Sequence, residues 1–99
     1  MQVTLSDSAV EDLASVLAYY EAEGVPDMGR RLVAEVLSRI EELQVNPDIG
    51  RIVPEFRTSA LRELIHPPFR VVYRRQQQRA QVVRVWRSER VLRLPPGSE

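Results

Sequence analysis

The chain contains neither lysine nor cysteine. Every basic side chain is therefore an arginine, whose planar guanidinium binds phosphate or carboxylate through paired hydrogen bonds and stays protonated near neutral pH. The absence of cysteine excludes disulfides, thiolate metal sites and a cysteine nucleophile, and it is typical of cytosolic proteins. No apolar stretch approaches the roughly 20 residues that span a bilayer, and the N-terminus lacks the pattern of a secretory signal. We therefore expect a cytoplasmic protein that does not contact a membrane.

Residues suited to catalysis or metal binding are also scarce. His66 is the only histidine, and since it has no spaced partner, a structural or surface role is the better interpretation. The sequence has no glycine-rich phosphate loop, no HExxH motif and no nucleophile elbow. Arginine is a poor general base, so any catalysis would depend on stabilising charge on a phosphate. We expect no cofactor and no metal.

The two halves of the chain carry opposite charges although the net charge is zero. Residues 1–49 hold 3 arginines against 10 carboxylates, and residues 50–99 hold 11 arginines against 4. The basic half has the pattern of β-strands, whose period of two can gather arginines on one sheet face. Such a face favours a binding surface, although exposed arginines can also serve only solubility or edge protection.

The hydrophobic pattern of the first half predicts one strand and two helices. A short strand is expected over residues 1–5. A cap cluster of serine and aspartate and apolar residues at helical spacing predict a first helix over 8–23, which Gly24 ends. A second helix runs from Pro26 until the Asn-Pro pair at 46–47 stops it. The short joint between the helices predicts an antiparallel hairpin.

The second half predicts three strands after a loop over residues 48–59. The strands are expected at 61–66, 69–75 and 81–87, and their short connections predict an antiparallel meander. A short tail follows from residue 88. The order β-α-α-β-β-β predicts a single α+β domain over residues 1–99, with the helical hairpin packed on one face of the sheet.

Alternation within the strands predicts which side chains face the hairpin. Apolar side chains on the inner sheet face and along the helical stripes are expected to form the core: Leu13, Leu17, Leu32, Val36, Ile40, Val71, Tyr73, Val83 and Val85. The opposite sheet face is predicted to be open and to present a guanidinium and aromatic surface made by Arg70, Arg74, Arg84 and Trp86.

A set of short motifs in the second half resembles a known family. The motifs run from Gly50-Arg51 and Pro54-Glu55 through Leu61-Arg62-Glu63-Leu64 and Phe69-Arg70-Val71-Val72-Tyr73-Arg74 to Val82-Val83-Arg84-Val85-Trp86-Arg87-Ser88-Glu89-Arg90. Together with the helical hairpin, their order and spacing resemble the ParE/RelE superfamily of toxins from bacterial type II toxin–antitoxin modules. The ParE-like branch is the better match, and the likeness extends from about residue 3 to residue 90.

The resemblance implies a small toxin that a cognate antitoxin holds inactive in a heteromeric complex. In the RelE branch the toxin cleaves mRNA in the ribosomal A site with lysines, arginines and a C-terminal tyrosine. The arginine of that branch's strand motif matches Arg70, and a second basic position falls within residues 87–90. The lysines have no counterpart in residues 61–66, and the tyrosine position falls near Leu94. ParE-like members lack this set and are associated with inhibition of DNA gyrase.

The resemblance therefore favours a non-enzymatic toxin that inhibits DNA gyrase and is neutralised by an antitoxin. One alternative is a ribosome-dependent mRNA endonuclease that uses Arg70, Arg84, Arg87 and Arg90 to stabilise the cleaved phosphate. Another is a non-toxic module that only pairs with an antitoxin. The residues expected to contact the target are Arg70, Arg74, Arg84, Trp86, Arg87 and Arg90.

Overall fold

A sheet of five strands carries a helical hairpin on one face in the computed structural model, which describes residues 1–56, 58 and 60–88. In chain order the elements are β1 (Gln2–Leu5), α1 (Asp7–Ala22), α2 (Pro26–Glu41), a 3-10 turn (Glu42–Gln44), β2 (Arg51–Ile52), β3 (Leu61–His66), β4 (Phe69–Arg75) and β5 (Arg79–Arg87). The predicted α+β class is confirmed, and the predicted helices and strands occur in the predicted order, with β2 as an additional strand. The predicted tail lies outside the described residues, apart from Ser88.

The sheet has the strand order β1-β5-β4-β3-β2. Strands β3, β4 and β5 form the predicted antiparallel meander. The sheet as a whole is mixed, because β1 pairs parallel to β5 and the hairpin supplies the crossover between them. Strand β2 pairs antiparallel to β3 inside the region predicted to be a loop. Its two residues are too few to show an alternating pattern.

Helix α1 begins at a serine that also binds the sheet. Ser6 Oγ accepts a hydrogen bond from the Ala9 amide at 3.1 Å, which caps the helix, and donates one to the Val83 carbonyl at 3.0 Å. Gly24 follows the helix with a φ of +80°, a conformation that glycine adopts without strain. The start of α1 is thereby fixed against β5, and its end turns directly into α2.

The two helices approach closely where α2 carries a glycine. A Cβ added to Gly29 would lie 2.9 Å from the Cβ of Tyr20, so the contact needs glycine. Pro26 occupies the first turn of α2, as predicted. The α-helix ends at Glu41, earlier than predicted, and the following 3-10 turn keeps Leu43 in the core.

The core between the hairpin and the sheet agrees with most of the predicted set. Leu32 is partly buried against this core, whereas the prediction for Leu17 was wrong, because its side chain is 37% exposed. The buried members are Ala9, Leu13, Val36, Ile40, Leu43, Leu64, Phe69, Val71, Tyr73, Ala80, Val82 and Val85.

A β-bulge in β5 changes which valine faces the hairpin. Val72 pairs with Arg84 and Tyr73 pairs with Val82, so Val83 is the extra residue between two pairs. Val82 therefore takes the position in the core that was predicted for Val83. Val83 lies instead in a second apolar cluster, on the sheet face away from the helices. The predicted facing of Val83 was wrong because strict alternation does not hold across a bulge.

Candidate functional site

The sheet face away from the hairpin is not the open surface that the sequence predicts. Val53 in the segment after β2 is fully buried there with Leu61, Val72 and Val83, and Phe56 and Trp86 pack against this cluster. The segment 53–56 thus covers part of the sheet. This segment has no hydrophobic periodicity and only its turn residues stand out, so the cover was not predicted.

Arg70 lies beneath this cover and is only 8% exposed. Its Nε donates to Glu63 Oε2 at 2.8 Å, and its Nη1 and Nη2 donate to the two carboxylate oxygens of Glu55 at 3.0 Å each. Both edges of the guanidinium are therefore occupied by carboxylates. The expectation that Arg70 lies on an open face was wrong, although its strand position and its sheet face were predicted correctly.

Glu63 sits at the centre of the same charged network. Its side chain is fully buried, and its Oε1 accepts a hydrogen bond from Arg51 Nε at 2.7 Å. Two arginines and two glutamates thus balance one another, which is the arrangement that makes a buried carboxylate tolerable. The hydrogen bond from Arg70 lowers the pKa of Glu55, and the same bond raises the pKa of Arg70. The network ties β2, the covering segment, β3 and β4 together.

The hydroxyl of Tyr73 holds the chain just before β2 in place through two hydrogen bonds. The Tyr73 hydroxyl donates to the Pro47 carbonyl at 2.7 Å and accepts from the Gly50 amide at 3.0 Å. Burial raises the pKa of Tyr73. A Cβ on Gly50 would lie 2.7 Å from both the Tyr73 hydroxyl and the Glu63 carbonyl. These contacts explain the glycine of the Gly50-Arg51 motif.

Arg84 is held by a carboxylate from the first helix. Its Nε donates to Asp12 Oδ2 at 2.7 Å and its Nη2 donates to Asp12 Oδ1 at 2.9 Å. Asp12 Oδ2 also accepts the Val85 amide at 2.8 Å. Because β1 ends at Leu5, opposite Val82, it does not reach this part of the β5 edge, where Asp12 supplies an acceptor in place of a strand.

A cleft between α1 and the end of β5 gathers most of the aromatic residues of the chain. It has a volume of about 570 Å³, and we call it the α1–β5 cleft. The Arg84 guanidinium lies 4.2 Å from the centre of the Trp86 ring, and that of Arg87 lies 5.7 Å from the centre of the Tyr19 ring. The lining residues are Asp12, Ser15, Val16, Tyr19, Tyr20, Phe69, Arg84, Val85, Trp86 and Arg87.

The structure brings together only some of the residues predicted to contact a target. Arg84, Trp86 and Arg87 line the α1–β5 cleft, whereas Arg70 is enclosed in the charged network. Arg74 is partly exposed and forms no ion pair with any other residue that the structure describes. Arg90 lies outside the described residues.

Sequence reasoning missed Asp12, Tyr19 and Tyr20, because their positions in a helix gave no sign of a contact with a strand so far along the chain.

The single histidine has a structural contact. His66 Nε2 lies 3.1 Å from Glu35 Oε1 and so connects β3 to α2, as expected for a structural or surface residue. No group of three or more potential ligands that could hold a metal ion is found in the described part of the chain. Over the same residues, no helix has the length and apolar character needed to cross a membrane.

Comparison with protein families gives a match over almost the whole chain. The family described as the ParE toxin of the parDE type II toxin–antitoxin system matches residues 3–92. The chain belongs to the ParE toxin family. This confirms the resemblance found in the sequence and its preference for the ParE-like branch, and it makes the protein a toxin of a type II toxin–antitoxin system.

Solved structures confirm the fold. A chain described as the chromosomal ParDE toxin–antitoxin system from P. aeruginosa superimposes with a TM-score of 0.76 at 22% sequence identity, and the match covers 90% of this chain and 97% of that chain. At this identity the likeness concerns the ParE fold alone. The search of curated proteins finds no match.

Proposed function

We propose that this ParE-family toxin inhibits DNA gyrase without catalysing a reaction and is neutralised by a cognate antitoxin. Membership of the ParE family supports a toxin paired with an antitoxin. The choice between gyrase and the ribosome as the target rests on one observation, the enclosure of Arg70 by two carboxylates.

A phosphate-cleaving role for Arg70 requires a guanidinium whose N–H donors are directed at the place where charge develops on the phosphate. Here Glu55 and Glu63 accept hydrogen bonds from all three nitrogens of the group. With Arg51 on Glu63, the two carboxylates are already balanced by two guanidinium groups, so no positive charge is left over for a phosphate. A negatively charged phosphate would have to displace a carboxylate and leave Glu63 buried with one fewer cation, which is costly.

The other residues needed for the endonuclease are also absent or engaged. Strand β3, which would carry the lysines, contains none. Arg84, a further candidate, is held by both oxygens of Asp12. These observations favour a protein that acts by binding over a ribosome-dependent nuclease.

The target surface of this proposal consists of the basic and aromatic side chains that remain accessible at the sheet. Arg74 is the clearest candidate on the face away from the hairpin, because no described carboxylate pairs with it. Trp86 and Arg87 extend the surface toward the cleft. The set expected from the sequence also includes Arg84, which Asp12 holds, and Arg90, which lies outside the described residues. Arg70 contributes indirectly by holding the segment 53–56 in place.

The two targets are separated by assaying the same purified toxin in two systems. In a supercoiling assay with purified DNA gyrase and relaxed plasmid, we expect inhibition that rises with the amount of toxin added. In a purified translation system, we expect no cuts in ribosome-bound mRNA. Arg74→Gln should weaken the inhibition of gyrase, whereas Arg79→Gln, at the exposed start of β5, is the matched control. If the toxin cuts mRNA and supercoiling stays normal, the target is the ribosome and not gyrase.

A further inference from the structure

We propose that the outer face of the helical hairpin, on the side away from the sheet, binds a second copy of this chain through an antiparallel contact between the two α2 helices. The inference does not depend on the target of the toxin. It follows from three features of this face: its exposed apolar side chains, the order of the charges along α2 and the sizes of the side chains between those charges.

The outer face of the hairpin carries apolar side chains that the core does not use. Val10, Leu17 and Leu37 are 53%, 37% and 39% exposed. Asp12 and Tyr19 line the cleft beside β5. Because an α-helix turns by about 100° per residue, Val10 and Leu17 lie on the other flank of α1, beside α2. Three exposed alanines complete this surface: Ala14, Ala18 and Ala34. An exposed apolar patch between charged residues is typical of an interaction site.

Four exposed residues form a straight stripe along α2: Arg30, Ala34, Leu37 and Glu41. Their spacing of four, three and four residues places them on one side of the helix. Glu35, which contacts β3 through His66, lies on another flank of α2. The stripe therefore borders α1 and continues the apolar patch.

The stripe is complementary to itself when two copies run antiparallel. About a two-fold axis between positions 35 and 36, Arg30 faces Glu41 of the second copy and Ala34 faces Leu37 of the second copy. Each contact occurs twice, because the same face is used on both copies. A guanidinium thus meets a carboxylate, and a small side chain meets a large one, which lets the helices pack closely.

Both charged residues of the stripe are accessible to a second copy. Arg30 pairs with Asp27 on the same helix, but both side chains are mostly exposed, and such a pair contributes little. A guanidinium has five N–H donors, so Arg30 can bind a further carboxylate. Glu41 forms no ion pair with any other residue that the structure describes.

The charge of the hairpin favours a second copy over other partners. Residues 1–49 hold 10 carboxylates against 3 arginines, so this half of the chain repels a nucleic acid. A basic segment would pair with Glu41 but would meet like charge at Arg30. A second copy pairs both. Its other carboxylates lie outside the stripe, and at physiological salt, where the screening length is about 8 Å, they oppose the contact weakly.

The size of the face determines the expected strength of the dimer. Each helix has 16 residues and is therefore about 24 Å long and about 10 Å wide. Two such faces bury roughly 1,000 Å² in total, which is the lower limit for a specific interface. We expect a weak dimer with a dissociation constant on the order of 100 µM. At the low micromolar concentrations used in unfolding measurements, the chain is then a monomer.

Sedimentation equilibrium of the purified toxin, from about 10 µM to about 1 mM at physiological salt, measures this association. Leu37→Ser should raise the dissociation constant by about tenfold or more, because the apolar burial is lost twice in each dimer. Ile65→Ser replaces a side chain on β3 that is 41% exposed, and it is the matched control. It should stay within about twofold of the wild type.

Charge reversal tests the antiparallel pairing itself. Arg30→Glu brings carboxylates together at both ends of the contact, and Glu41→Arg brings guanidinium groups together, so each variant alone should lose the dimer. An equal mixture of the two variants has opposite charges at both ends and should regain it. Arg31→Glu, one position away from the stripe, is the control and should associate like the wild type. A thermal melt of each variant checks that it is folded.

A cross-link locates the contact independently of charge. The chain contains no cysteine, so Ala34→Cys gives one thiol per copy, near the two-fold axis. Oxidation with diamide should join two copies of this variant by a disulfide. Gln77→Cys, exposed in the turn between β4 and β5, is the control and should cross-link more slowly.

The outcomes separate this contact from the other uses of the same face. Restored association in the mixture of charge-reversed variants supports the proposal. A wild-type toxin that stays monomeric up to about 1 mM overturns it. A dimer that Leu37→Ser and both charge reversals leave unchanged uses another surface, which also overturns it. If Leu37→Ser weakens binding of the antitoxin and leaves self-association unchanged, the face belongs to the antitoxin and the proposal is wrong.

Discussion

Arg70 and Glu63 form a buried ion pair in which Arg70 Nη2 lies 2.6 Å from Glu63 Oε2, with the two side chains 10% and 0% exposed. The pair joins β4 to β3, and Glu55 and Arg51 complete its charge balance from the other two sides. The strand arginine that the resemblance to the RelE branch marks for catalysis is thus engaged in an internal network of ion pairs in this chain.

Truncation of Arg70 tests this structural role. Arg70→Ala leaves Glu63 buried with Arg51 as its remaining cation, so we expect the free energy of unfolding to fall by about 3 kcal/mol. Urea denaturation at neutral pH measures the change. Arg79→Ala removes an exposed arginine from the same sheet and should change stability by less than about 0.5 kcal/mol. Equal effects of the two substitutions would show that the network contributes nothing to stability.

Lowering the pH should destabilise the segment 53–56 that covers the sheet, because Glu55 becomes protonated. The hydrogen bond from Arg70 lowers the pKa of Glu55 below its ordinary value of 4.5. A lowered pKa in the folded state means that Glu55 stabilises the protein at pH values above 4.5 and loses this contribution as the pH falls through the folded-state value. The effect should be modest because the side chain is 41% exposed and solvent screens the pair.

Urea midpoints measured between neutral pH and about pH 3 check this linkage. Glu55→Gln should lower stability at neutral pH and flatten the loss of stability in acid relative to the wild type. Glu41→Gln, at the exposed end of α2, should leave the pH profile unchanged. A Glu55→Gln profile parallel to that of the wild type would contradict the assignment.

The Tyr73 hydroxyl should contribute more to the free energy of unfolding than an exposed hydroxyl does. Tyr73→Phe leaves the Gly50 amide and the Pro47 carbonyl without this partner, and we expect a loss of about 1–3 kcal/mol. Tyr19→Phe removes an exposed hydroxyl and should change stability by less than about 0.5 kcal/mol. Thermal unfolding of both variants gives the comparison. A Tyr73→Phe protein as stable as the wild type would show that water or a rearranged chain replaces these bonds.

Asp12 should stabilise the part of the β5 edge that β1 does not reach and should protect its amides from hydrogen exchange. Asp12→Ala removes the acceptor of Arg84 and of the Val85 amide, and we expect stability to fall by about 2–3 kcal/mol. Asp12→Asn keeps an oxygen acceptor for the amide and should lose less. Hydrogen exchange of the Val85 amide reports the local effect, with Glu11→Ala on the same helix as the control. If the Val85 amide exchanges at the same rate in Asp12→Ala as in the wild type, Asp12 does not protect this edge.

The sequence was sufficient where local pattern decides the structure. The bounds of β3 and β4 agree with the prediction, because alternation and the Pro67-Pro68 pair mark them without help from the rest of the fold. The same alternation placed Arg70 and Trp86 on the sheet face away from the hairpin, where the structure pairs them across β4 and β5.

The sequence was insufficient where contacts distant along the chain decide the structure. The bulge at Val83 reverses one side chain, and nothing in the run of valines indicates which of them is the extra residue. Asp12 and Arg84 are separated by 72 positions, and neither has a neighbour that points to the other. The burial of Arg70 depends on a segment with two residues of strand pairing, which carries too little pattern to predict.

The central claim, that this ParE-family toxin acts on DNA gyrase and is held inactive by its antitoxin, is tested most directly by one titration. Purified gyrase supercoils relaxed plasmid in the presence of a fixed, inhibitory amount of toxin while antitoxin is added in steps. The account predicts that supercoiling is blocked at first and is restored as the antitoxin reaches the toxin concentration. Full supercoiling in the presence of folded toxin without antitoxin would contradict it.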